Sequence, residues 1–453
     1  MKKKIAFKYQ HDALAWARNK PKSAFFMEMR LGKTLVAIRW AEQFSFEKIL
    51  VVCFLSVVPV WQEELACEGN SSAMLIGSWK EKLQILNDQD VRWYLTNFES
   101  TYVDNRPKKP RASMISQLPW DCVIIDESTG IRNPKAIRTK MCCKQFKHTP
   151  YRSILTGLPN PESQLDYFQQ MAFLEGGFMG CENYWEFRHK FFHQVAYDWV
   201  PNKGTISKIK KAVNENAFVL TRKQAGVGSR KIYEKRYVEL PRKVRNEYRK
   251  LERDFCLGTE ETKWTIVVKV WLARLAGGQP EDANFCSMHK FSEILYLLNS
   301  ELKKEQCVIW FRFNLELIYL HNMLEAKGIS NDFITGNVSP TERERTRKRF
   351  NKGKFRILLV QIKCGKFGID CSAASVAIYY SNSFAYEERA QSEDRIISPT
   401  KKEPVLILDV LTTNTVDVDI YSALRDKKIN AKTFNSKILE NLRKRNESEN
   451  RKK

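Results

Sequence analysis

The residues Gly32, Lys33 and Thr34 have the types and the order of a phosphate-binding loop. They lie between an apolar stretch and a run with helical periodicity, so backbone N–H groups and the positive end of a helix dipole would face a bound triphosphate. Lys33 would contact the β and γ phosphates, and Thr34 would place its hydroxyl near Mg²⁺. The first glycine of the general loop pattern is missing, because Met27 stands at that spacing. The tripeptide alone therefore leaves open the alternative of a helix N-terminus without a ligand.

A pair of acidic residues, Asp126 and Glu127, ends an apolar run further along the chain. Such a run predicts a strand of a parallel sheet, and the carboxyl ends of these strands are where such folds bind ligands. Asp126 is suited to hold Mg²⁺ through a water molecule, and Glu127 to orient and deprotonate an attacking water. The alternative is that the two acids only cap the next helix. Combined with Lys33 and Thr34, the pair predicts a site for ATP and Mg²⁺.

Short apolar runs rich in β-branched residues alternate along the chain with longer segments of helical period. Continuous apolar strands separated by helices predict parallel sheets that are covered on both faces. The pattern occurs twice, so we expect an α/β protein with two lobes. The predicted strands lie at 48–55, 122–126 and 152–157 in the first lobe, and at 306–312, 356–362, 375–381 and 404–411 in the second.

Domains of ordinary size would divide the 453 residues into two or three parts. We place the first lobe, with the nucleotide motifs, at residues 1–220 and the second lobe at residues 286–437. Residues 221–285 are basic and mainly helical in pattern, and are expected to form a linker or insertion between the lobes. Residues 438–453 form a charged tail that has no reason to join a core.

The chain carries 76 Lys and Arg against 52 Asp and Glu, a formal net charge of +24. A protein with this excess attracts polyanions, of which nucleic acid is the commonest. No apolar run approaches the ~20 residues that a membrane-spanning helix needs. The N-terminus lacks the apolar core of a signal peptide. We therefore expect a cytoplasmic protein, or one in the host cytoplasm if it is phage-encoded, that binds nucleic acid and no membrane.

The eleven cysteines include no C-x-x-C pair, so neither a disulfide framework nor a structural zinc site is predicted. His189 and His193 stand four residues apart, which is a spacing seen in zinc sites. Lys190, however, occupies the place where a zinc-protease motif carries its catalytic glutamate. Two partly buried helix residues are the better interpretation of this histidine pair.

Short motifs follow one another in a fixed order along nearly the whole chain. In the first half they occupy residues 7–17, 27–34, 49–65, 94–100, 126–134, 154–163 and 219–225, and in the second half residues 306–315, 333–351, 359–376 and 388–396. In type and order they resemble the motifs of the Swi/Snf-type branch of the superfamily 2 helicases and translocases. In its short length the chain resembles the compact motor proteins of phages and bacteria, including those used for branch migration.

The resemblance implies two RecA-like lobes with parallel sheets and a mainly helical insertion between them, and a DNA-stimulated ATPase activity. Gln10 would recognise adenine, and Arg395 of the second lobe would reach the γ-phosphate and complete a catalytic set with Lys33, Asp126 and Glu127. Residues implied to bind the nucleotide also include Arg30, Gly32, Thr34, Gly368, Asp370 and Gln391. Residues implied to lie near the nucleic acid strand are Thr96, Asn97, Arg222, Thr335, Gln361 and Lys363.

Two motifs depart from the family pattern. The acidic motif continues with Ser128 and Thr129, where the family usually has a histidine in the fourth place. The last motif usually carries two arginines three residues apart, but Ser398 stands at the second place after Arg395. The first departure affects the contact that links hydrolysis to motion, and the second leaves Arg395 as the sole arginine finger of this motif.

A segment from Gln194 to Lys210 alternates apolar and polar residues around Pro201–Asn202–Lys203–Gly204, which predicts a β-hairpin with Trp199 near its tip. Trp199, Pro201, Asn202 and Lys203 could act as a wedge between nucleic acid strands. The alternative is a hairpin that only packs against the first lobe.

The sequence as a whole favours an ATP-dependent DNA translocase or helicase that acts, as a monomer, on forked or branched DNA. The alternatives are an RNA helicase of the same superfamily and a basic nucleic-acid-binding protein whose ATPase has decayed. The absent second arginine favours the decayed ATPase, whereas the intact phosphate-loop and acidic motifs oppose it.

Overall fold

The strands of the first half of the chain are built from the apolar runs that the sequence analysis identified. The computed structural model describes residues 3–88, 91–103, 111–195, 198–256, 263–279, 287–367 and 369–425, and the predicted tail at 438–453 lies outside them. The chain divides into two compact units, Met1–Val227 and Gly228–Lys453. The described strands of unit 1 are β1 (Lys22–Met27), β2 (Ile49–Cys53), β3 (Ser72–Met74), β4 (Trp93–Asn97), β5 (Tyr102–Val103), β6 (Arg111–Ala112), β7 (Cys122–Asp126), β8 (Tyr151–Thr156), β9 (Phe192–Val195), β10 (Asp198–Pro201) and β11 (Ala217–Leu220).

Parallel pairing joins these strands into one large sheet with the order β11-β1-β8-β7-β2-β4-β3. Side chains alternate between two buried clusters: Ala24 and Phe26 of β1 face one, and Phe25 and Met27 face the other. Both faces are covered, which explains why the strands are continuous apolar runs instead of alternating ones. Two short antiparallel pairs, β5 with β6 and β9 with β10, lie outside this sheet.

Helices follow most of the strands and cover the sheet. Those described in unit 1 are α1 (Lys8–Trp16), α2 (Lys33–Ala41), α3 (Val58–Glu68), α4 (Trp79–Asp88), α5 (Ile137–Gln145), α6 (Tyr167–Glu175), α7 (Tyr184–Phe191), α8 (Thr205–Asn216) and α9 (Arg222–Ala225). Asn183 caps α7 because its side-chain oxygen accepts the N–H groups of Trp185 and Glu186.

The second unit repeats the architecture with the strands β12 (Lys231–Val238), β13 (Cys307–Phe311), β14 (Asn331–Ile334), β15 (Ile357–Gln361), β16 (Val376–Tyr379) and β17 (Val405–Thr412). They form a parallel sheet in the order β12-β17-β16-β13-β15-β14. Its helices within the described ranges are α10 (Arg242–Cys256), α11 (Lys263–Ala276), α12 (His289–Asn299), α13 (Asn314–Ala326), α14 (Pro340–Asn351), α15 (Tyr386–Asp394) and α16 (Val416–Arg425). Ser339 caps α14, and Pro340 follows at the first helical position.

The predicted fold class, an α/β protein with two RecA-like lobes and parallel sheets, is confirmed. All seven predicted strands are present. The structure divides the chain between Val227 and Gly228, whereas the sequence analysis placed residues 221–285 in a linker. Within that stretch α10 and α11 are helical, but β12 pairs with β17 over its whole length and belongs to the second sheet. The sequence analysis missed this strand because its side chains are mostly exposed and several are basic, so it lacks the apolar run that indicates a buried strand.

A buried ion pair fastens α15 to the sheet of unit 2. The guanidinium of Arg389 donates to both carboxylate oxygens of Asp409 on β17, at 2.5 and 2.8 Å, and to Glu393 at 2.8 Å. The side chains of Arg389 and Asp409 are only 5% and 1% exposed. Removal of one partner would leave an uncompensated charge in the core.

We expect the substitution Arg389→Met to destabilise unit 2 by about 3–5 kcal/mol, because breaking a buried pair from one side leaves Asp409 without its counter-charge. Urea unfolding of the full chain measures this loss. Arg345→Ala is the control, since Arg345 is 74% exposed and its pair with Glu342 is long at 3.8 Å; a surface pair contributes about 0–1 kcal/mol. Equal losses in the two variants would contradict the structural role of the buried pair.

Candidate nucleotide and nucleic-acid sites

The phosphate-loop residues connect β1 to α2 through a backbone that twice enters the left-handed region. Arg30 has φ +69° and Gly32 has φ +72°, the latter at the N-cap of α2. A Cβ atom at Gly32 would lie 2.3 Å from Nε2 of Gln10. Both the backbone angle and the close approach therefore require glycine at this position. Met27, which stands where the general pattern has its first glycine, is the last residue of β1 and is fully buried.

Gln10 lies against this loop and is 4% exposed. Its side-chain oxygen accepts the N–H of Phe7 at 2.9 Å, and its amide group donates to the carbonyl of Leu31 at 3.1 Å. The residue predicted to recognise adenine thus also joins the start of α1 to the phosphate loop. This second role was missed by the sequence analysis, because it depends on a contact between residues far apart in the chain.

Lys33 and Thr34 are the first two residues of α2, and both are half-buried. The ammonium group of Lys33 donates to the carbonyl of Met27 at 3.0 Å, so the side chain lies back along the loop. The end of β8 approaches the same group, since a Cβ atom at Gly157 would lie 3.3 Å from Nζ of Lys33. A cation is therefore held where the carboxyl ends of β1 and β8 meet.

Asp126 is the last residue of β7, and it is 9% exposed. Its Oδ2 accepts the indole N–H of Trp61 at 2.7 Å, and its Oδ1 accepts the backbone N–H of Glu127 at 2.8 Å. Burial raises the pKa of Asp126, while the hydrogen bond from Trp61 and the charge of Lys33 act in the opposite direction. The sequence predicted the carboxylate and the lysine but not the tryptophan.

Glu127 follows in the left-handed conformation, with φ +52°. Its Oε1 lies 3.5 Å from the hydroxyl of Thr156 at the end of β8. A non-glycine residue at such an angle costs about 1–3 kcal/mol, and strain of this size is concentrated at functional sites. The turn after β7 therefore takes an unfavourable backbone angle at the residue predicted to be the general base.

Ser128, at the departure from the family motif, is fully buried and donates to the side-chain oxygen of Gln170 at 2.7 Å. Gln170 in turn donates to the carbonyls of Pro159 at 2.6 Å and Asp166 at 2.8 Å. A hydrogen-bonded path therefore leads from the end of β7 to the segment after β8. Gln170 carried no signal in the sequence that would have singled it out.

The groups around the ends of β1, β7 and β8 suit ATP with Mg²⁺. A hydroxyl and a carboxylate are oxygen ligands of the kind that Mg²⁺ prefers beside phosphate oxygens. Lys33 and the N-terminus of α2 supply positive charge for the phosphates. Among the residues that the structure describes, no group of three or more His, Cys, Asp or Glu could by itself hold a metal ion.

In unit 2, Asp370, Gln391 and Arg395 were predicted to bind the nucleotide, and Gly368 lies outside the described residues. Arg395 directly follows α15 and donates from Nε to the carbonyl of Gly365 at 2.7 Å. Asp370 accepts the backbone N–H of Ser372 at 3.2 Å. Gln391 is 2% exposed, and its amide lies 3.4 Å from a carboxylate oxygen of Glu387 on the same helix.

The predicted nucleic-acid residues of unit 1 differ in accessibility. Thr96 is fully buried, and its hydroxyl donates to the carbonyl of Leu75 at 2.9 Å. Its contact with a nucleic acid strand stays a prediction. Asn97 is half-buried and donates to Glu99 at 3.0 Å. Arg222 is bound to Glu28 through its backbone N–H at 3.0 Å and its Nε at 3.4 Å.

The predicted nucleic-acid residues of unit 2 follow the carboxyl ends of β14 and β15. Thr335 is 5% exposed, which leaves little of its side chain for a ligand. Gln361 ends β15, and its side-chain oxygen accepts the N–H of Gly336 at 3.1 Å. Lys363 is exposed. These residues are brought together at one edge of the second sheet.

A hairpin is present in this region, but it is not the predicted one, because its turn is not at Pro201–Gly204. β9 pairs with β10 so that Val195 is opposite Asp198, which puts the connection at 196–197, outside the described residues. Gly204 instead caps α8 with φ +80°. The residues after Gly204 form a helix instead of a strand because buried side chains such as Ile209 and Val213 are four positions apart, which is a helical spacing.

Trp199 of the hairpin belongs to a stack of aromatic and cationic groups with α7. The guanidinium of Arg188 lies 4.0 Å from the ring centre of Trp199 and 4.7 Å from that of Trp185. Trp185 is 43% exposed. At the base of the hairpin, Pro201 pairs with Phe192, and Asn202 lies 2.7 Å from Nδ1 of His193. Lys203 follows on the surface before α8.

None of the helices formed by the described residues has the length and apolar character to cross a membrane.

Comparison with known proteins gives a consistent family assignment. Residues 9–264 match the model of the SNF2-related domain, and residues 289–399 match the helicase conserved C-terminal domain. The chromodomain-helicase-DNA-binding protein 1-like of Danio rerio is 23% identical over 91% of this chain and 42% of its own length. An uncharacterized ATP-dependent helicase of Mycoplasma genitalium is 24% identical over 90% of this chain and 40% of its length.

Among solved structures, the Sulfolobus solfataricus SWI2/SNF2 ATPase core in complex with dsDNA is 19% identical, with 96% of this chain and 94% of that chain covered and a TM-score of 0.44. The chain spans less than half the length of the curated relatives named above. The SNF2-related match alone covers more than half of the 453 residues. The predicted resemblance is confirmed, and the chain belongs to the SNF2-related family of Swi/Snf-type superfamily 2 proteins.

Proposed function

We propose that this protein is an ATP-dependent DNA translocase or helicase that remodels forked or branched DNA, for instance by branch migration. The observation that carries the proposal is the placement of Lys33, Asp126 and Glu127 at the carboxyl ends of neighbouring parallel strands, with the charge of Lys33 acting on Asp126. Parallel α/β folds bind ligands at this edge. Family membership supports the same activity.

In the proposed reaction, Lys33 and the N-terminus of α2 hold the β and γ phosphates of ATP. Thr34, and Asp126 through a water molecule, would hold Mg²⁺, which would neutralise charge on the phosphates. Glu127 accepts a proton from the water that attacks the γ-phosphate. Arg395 supplies positive charge to the transition state. The free energy of hydrolysis of ATP to ADP and phosphate would drive the cycle.

DNA is the proposed track, and a single copy of the chain is the proposed working unit. The net charge of +24 favours contacts to a phosphate backbone. A curated relative is named as a DNA-binding protein, which favours DNA over RNA.

The substitutions Lys33→Ala and Glu127→Gln should each lower the turnover number for ATP at least ~100-fold, since one loses the charge on the phosphates and the other the general base. Steady-state phosphate release with and without duplex DNA measures this effect. Lys140→Ala is the matched control, as Lys140 is an exposed lysine on α5 of the same unit. Equal turnover in wild type and all three variants would favour a protein whose ATPase has decayed.

Lys363→Ala should weaken DNA binding by a similar factor for all sequences and lower the slope of log affinity against log salt by about 1, since one phosphate contact is lost. Lys352→Ala is the control, because Lys352 is an equally exposed lysine at the end of α14. Titrations should use duplex DNA, single-stranded DNA and RNA. Tightest binding and strongest ATPase stimulation by RNA would overturn the choice of track.

The β9–β10 hairpin is proposed to act as a wedge between strands. Trp199 and Trp185 hold Arg188 between them, which combines an aromatic surface for a base with a charge for a phosphate. At the base of the hairpin, Pro201 pairs with Phe192 and Asn202 contacts His193, and the exposed Lys203 follows before α8.

The substitutions Trp185→Ala and Trp199→Ala should reduce ATP-dependent opening of a forked duplex about tenfold, because stacking on one base is worth ~1–3 kcal/mol. DNA-stimulated ATP hydrolysis should remain near the wild-type rate. Trp79→Ala, at a tryptophan that is 36% exposed on α4, is the control. Parallel loss of fork opening and ATP hydrolysis would refute the wedge and leave a packing hairpin.

A further inference from the structure

Trp61 is a fully buried residue on α3 whose polar atom is directed at the acidic motif. The buried face of α3 consists of Val58, Trp61, Leu65 and Glu68, a helical spacing that turns the indole toward the sheet. Its N–H donates to Oδ2 of Asp126 at 2.7 Å, across 65 positions of sequence. The contact joins two motifs that have separate places in the sequence.

We propose that Trp61 is a positioning residue for Asp126, and that its N–H fixes the orientation in which this carboxylate accepts the Mg²⁺ of a bound nucleotide. The inference rests on the proposed function, because it presumes that Asp126 receives Mg²⁺ with ATP. It goes further in assigning a role to a residue of α3 that touches neither phosphate nor metal.

The carboxylate of Asp126 would otherwise have a soft rotation about its last torsion, which has broad minima. Two hydrogen bonds remove this freedom. Oδ1 accepts the N–H of Glu127, and Oδ2 accepts the N–H of Trp61. The first donor is part of the same turn and moves with it, whereas Trp61 fixes the orientation of the carboxylate relative to α3.

A buried tryptophan N–H does not need a carboxylate as its acceptor, as another tryptophan of unit 1 shows. Buried indole N–H groups need a partner, and a nearby carbonyl is sufficient. Trp120, which is 4% exposed, donates to the carbonyl of Ile115, also at 2.7 Å. Trp61 instead donates to a carboxylate, a stronger and charge-assisted bond. Groups that hydrogen-bond a metal-binding carboxylate from behind typically set its affinity.

The test compares Trp61→Phe with Trp120→Phe, each combined with Glu127→Gln so that hydrolysis does not intervene. Both substitutions keep an aromatic ring and remove one buried N–H donor. The measurement is the Mg²⁺ concentration that gives half-maximal binding of a fluorescent ATP analogue, together with the affinity for the analogue in excess EDTA. We expect Trp61→Phe to raise the Mg²⁺ requirement about 10- to 100-fold. Trp120→Phe should leave it unchanged, and neither should alter metal-free binding.

A Mg²⁺ requirement of Trp61→Phe equal to that of Trp120→Phe would overturn the positioning role, as would an equal loss of metal-free binding, which indicates general damage. If Trp61→Phe fails to fold, Trp61→3-benzothienylalanine gives the same comparison, since it keeps the bicyclic shape and lacks the N–H. Failure of the Glu127→Gln parent to bind the analogue at any Mg²⁺ concentration would instead overturn the proposed function. The two failures are therefore distinguishable.

Discussion

A carboxylate held at the buried end of a parallel strand is the constraint on which the nucleotide site of unit 1 depends. Burial of Asp126 opposes its ionisation and raises its pKa, and the hydrogen bond from Trp61 and the charge of Lys33 reduce this effect. These three groups come from β7, α3 and α2. The sheet order must therefore place β1, β8 and β7 side by side, as it does. Any rearrangement of these strands would leave a charged group in the core without its partners.

The phosphate loop between β1 and α2 also depends on contacts with neighbouring elements. The general pattern calls for glycine where this chain has Met27, but Met27 is still part of β1, and its carbonyl accepts the ammonium group of Lys33. The loop proper is thus shorter than the motif suggests. Its shape is held from outside by Gln10, which bonds the carbonyl of Leu31 and fills the space beside Gly32. A motif that is incomplete in sequence is in this way completed by a packing contact.

In unit 2, buried ion pairs hold α15, the helix that precedes Arg395, against the sheet. Lys231 of β12 lies 3.0 Å from Glu393 and 2.8 Å from Asp394, while Arg389 is paired with Asp409. Both ends of α15 are thereby tied to the strands β12 and β17. Arg395 follows immediately and contacts the carbonyl of Gly365. The arginine predicted to act in hydrolysis is consequently presented by a helix with little freedom to shift.

Much of the fold and half of the site could be predicted from local pattern. Short apolar runs with β-branched residues predict buried parallel strands, because such strands are covered on both faces and β-branched side chains pack well in a sheet. The motifs Gly32–Thr34 and Asp126–Glu127 predict nucleotide-binding residues for a related reason, since each follows or ends such a run. The burial of Thr96 could not be predicted from its motif, because a motif gives residue types and order but not burial. β12 was concealed because its exposed side chains lack the apolar signal.

The alternation of apolar and polar residues also led to a wrong prediction, because the start of α8 was assigned to the second strand of a hairpin. The spacing of Ile209 and Val213 is compatible with a helix. The sequence by itself determined the class of fold, the family and the groups that carry charge. Only the tertiary structure decided that Trp61 bonds Asp126, that Gln10 supports Gly32 and that Ser128 reaches Gln170. The physical reason is that periodicity reports which face of an element is buried, whereas the partner of a buried polar atom depends on which elements become neighbours.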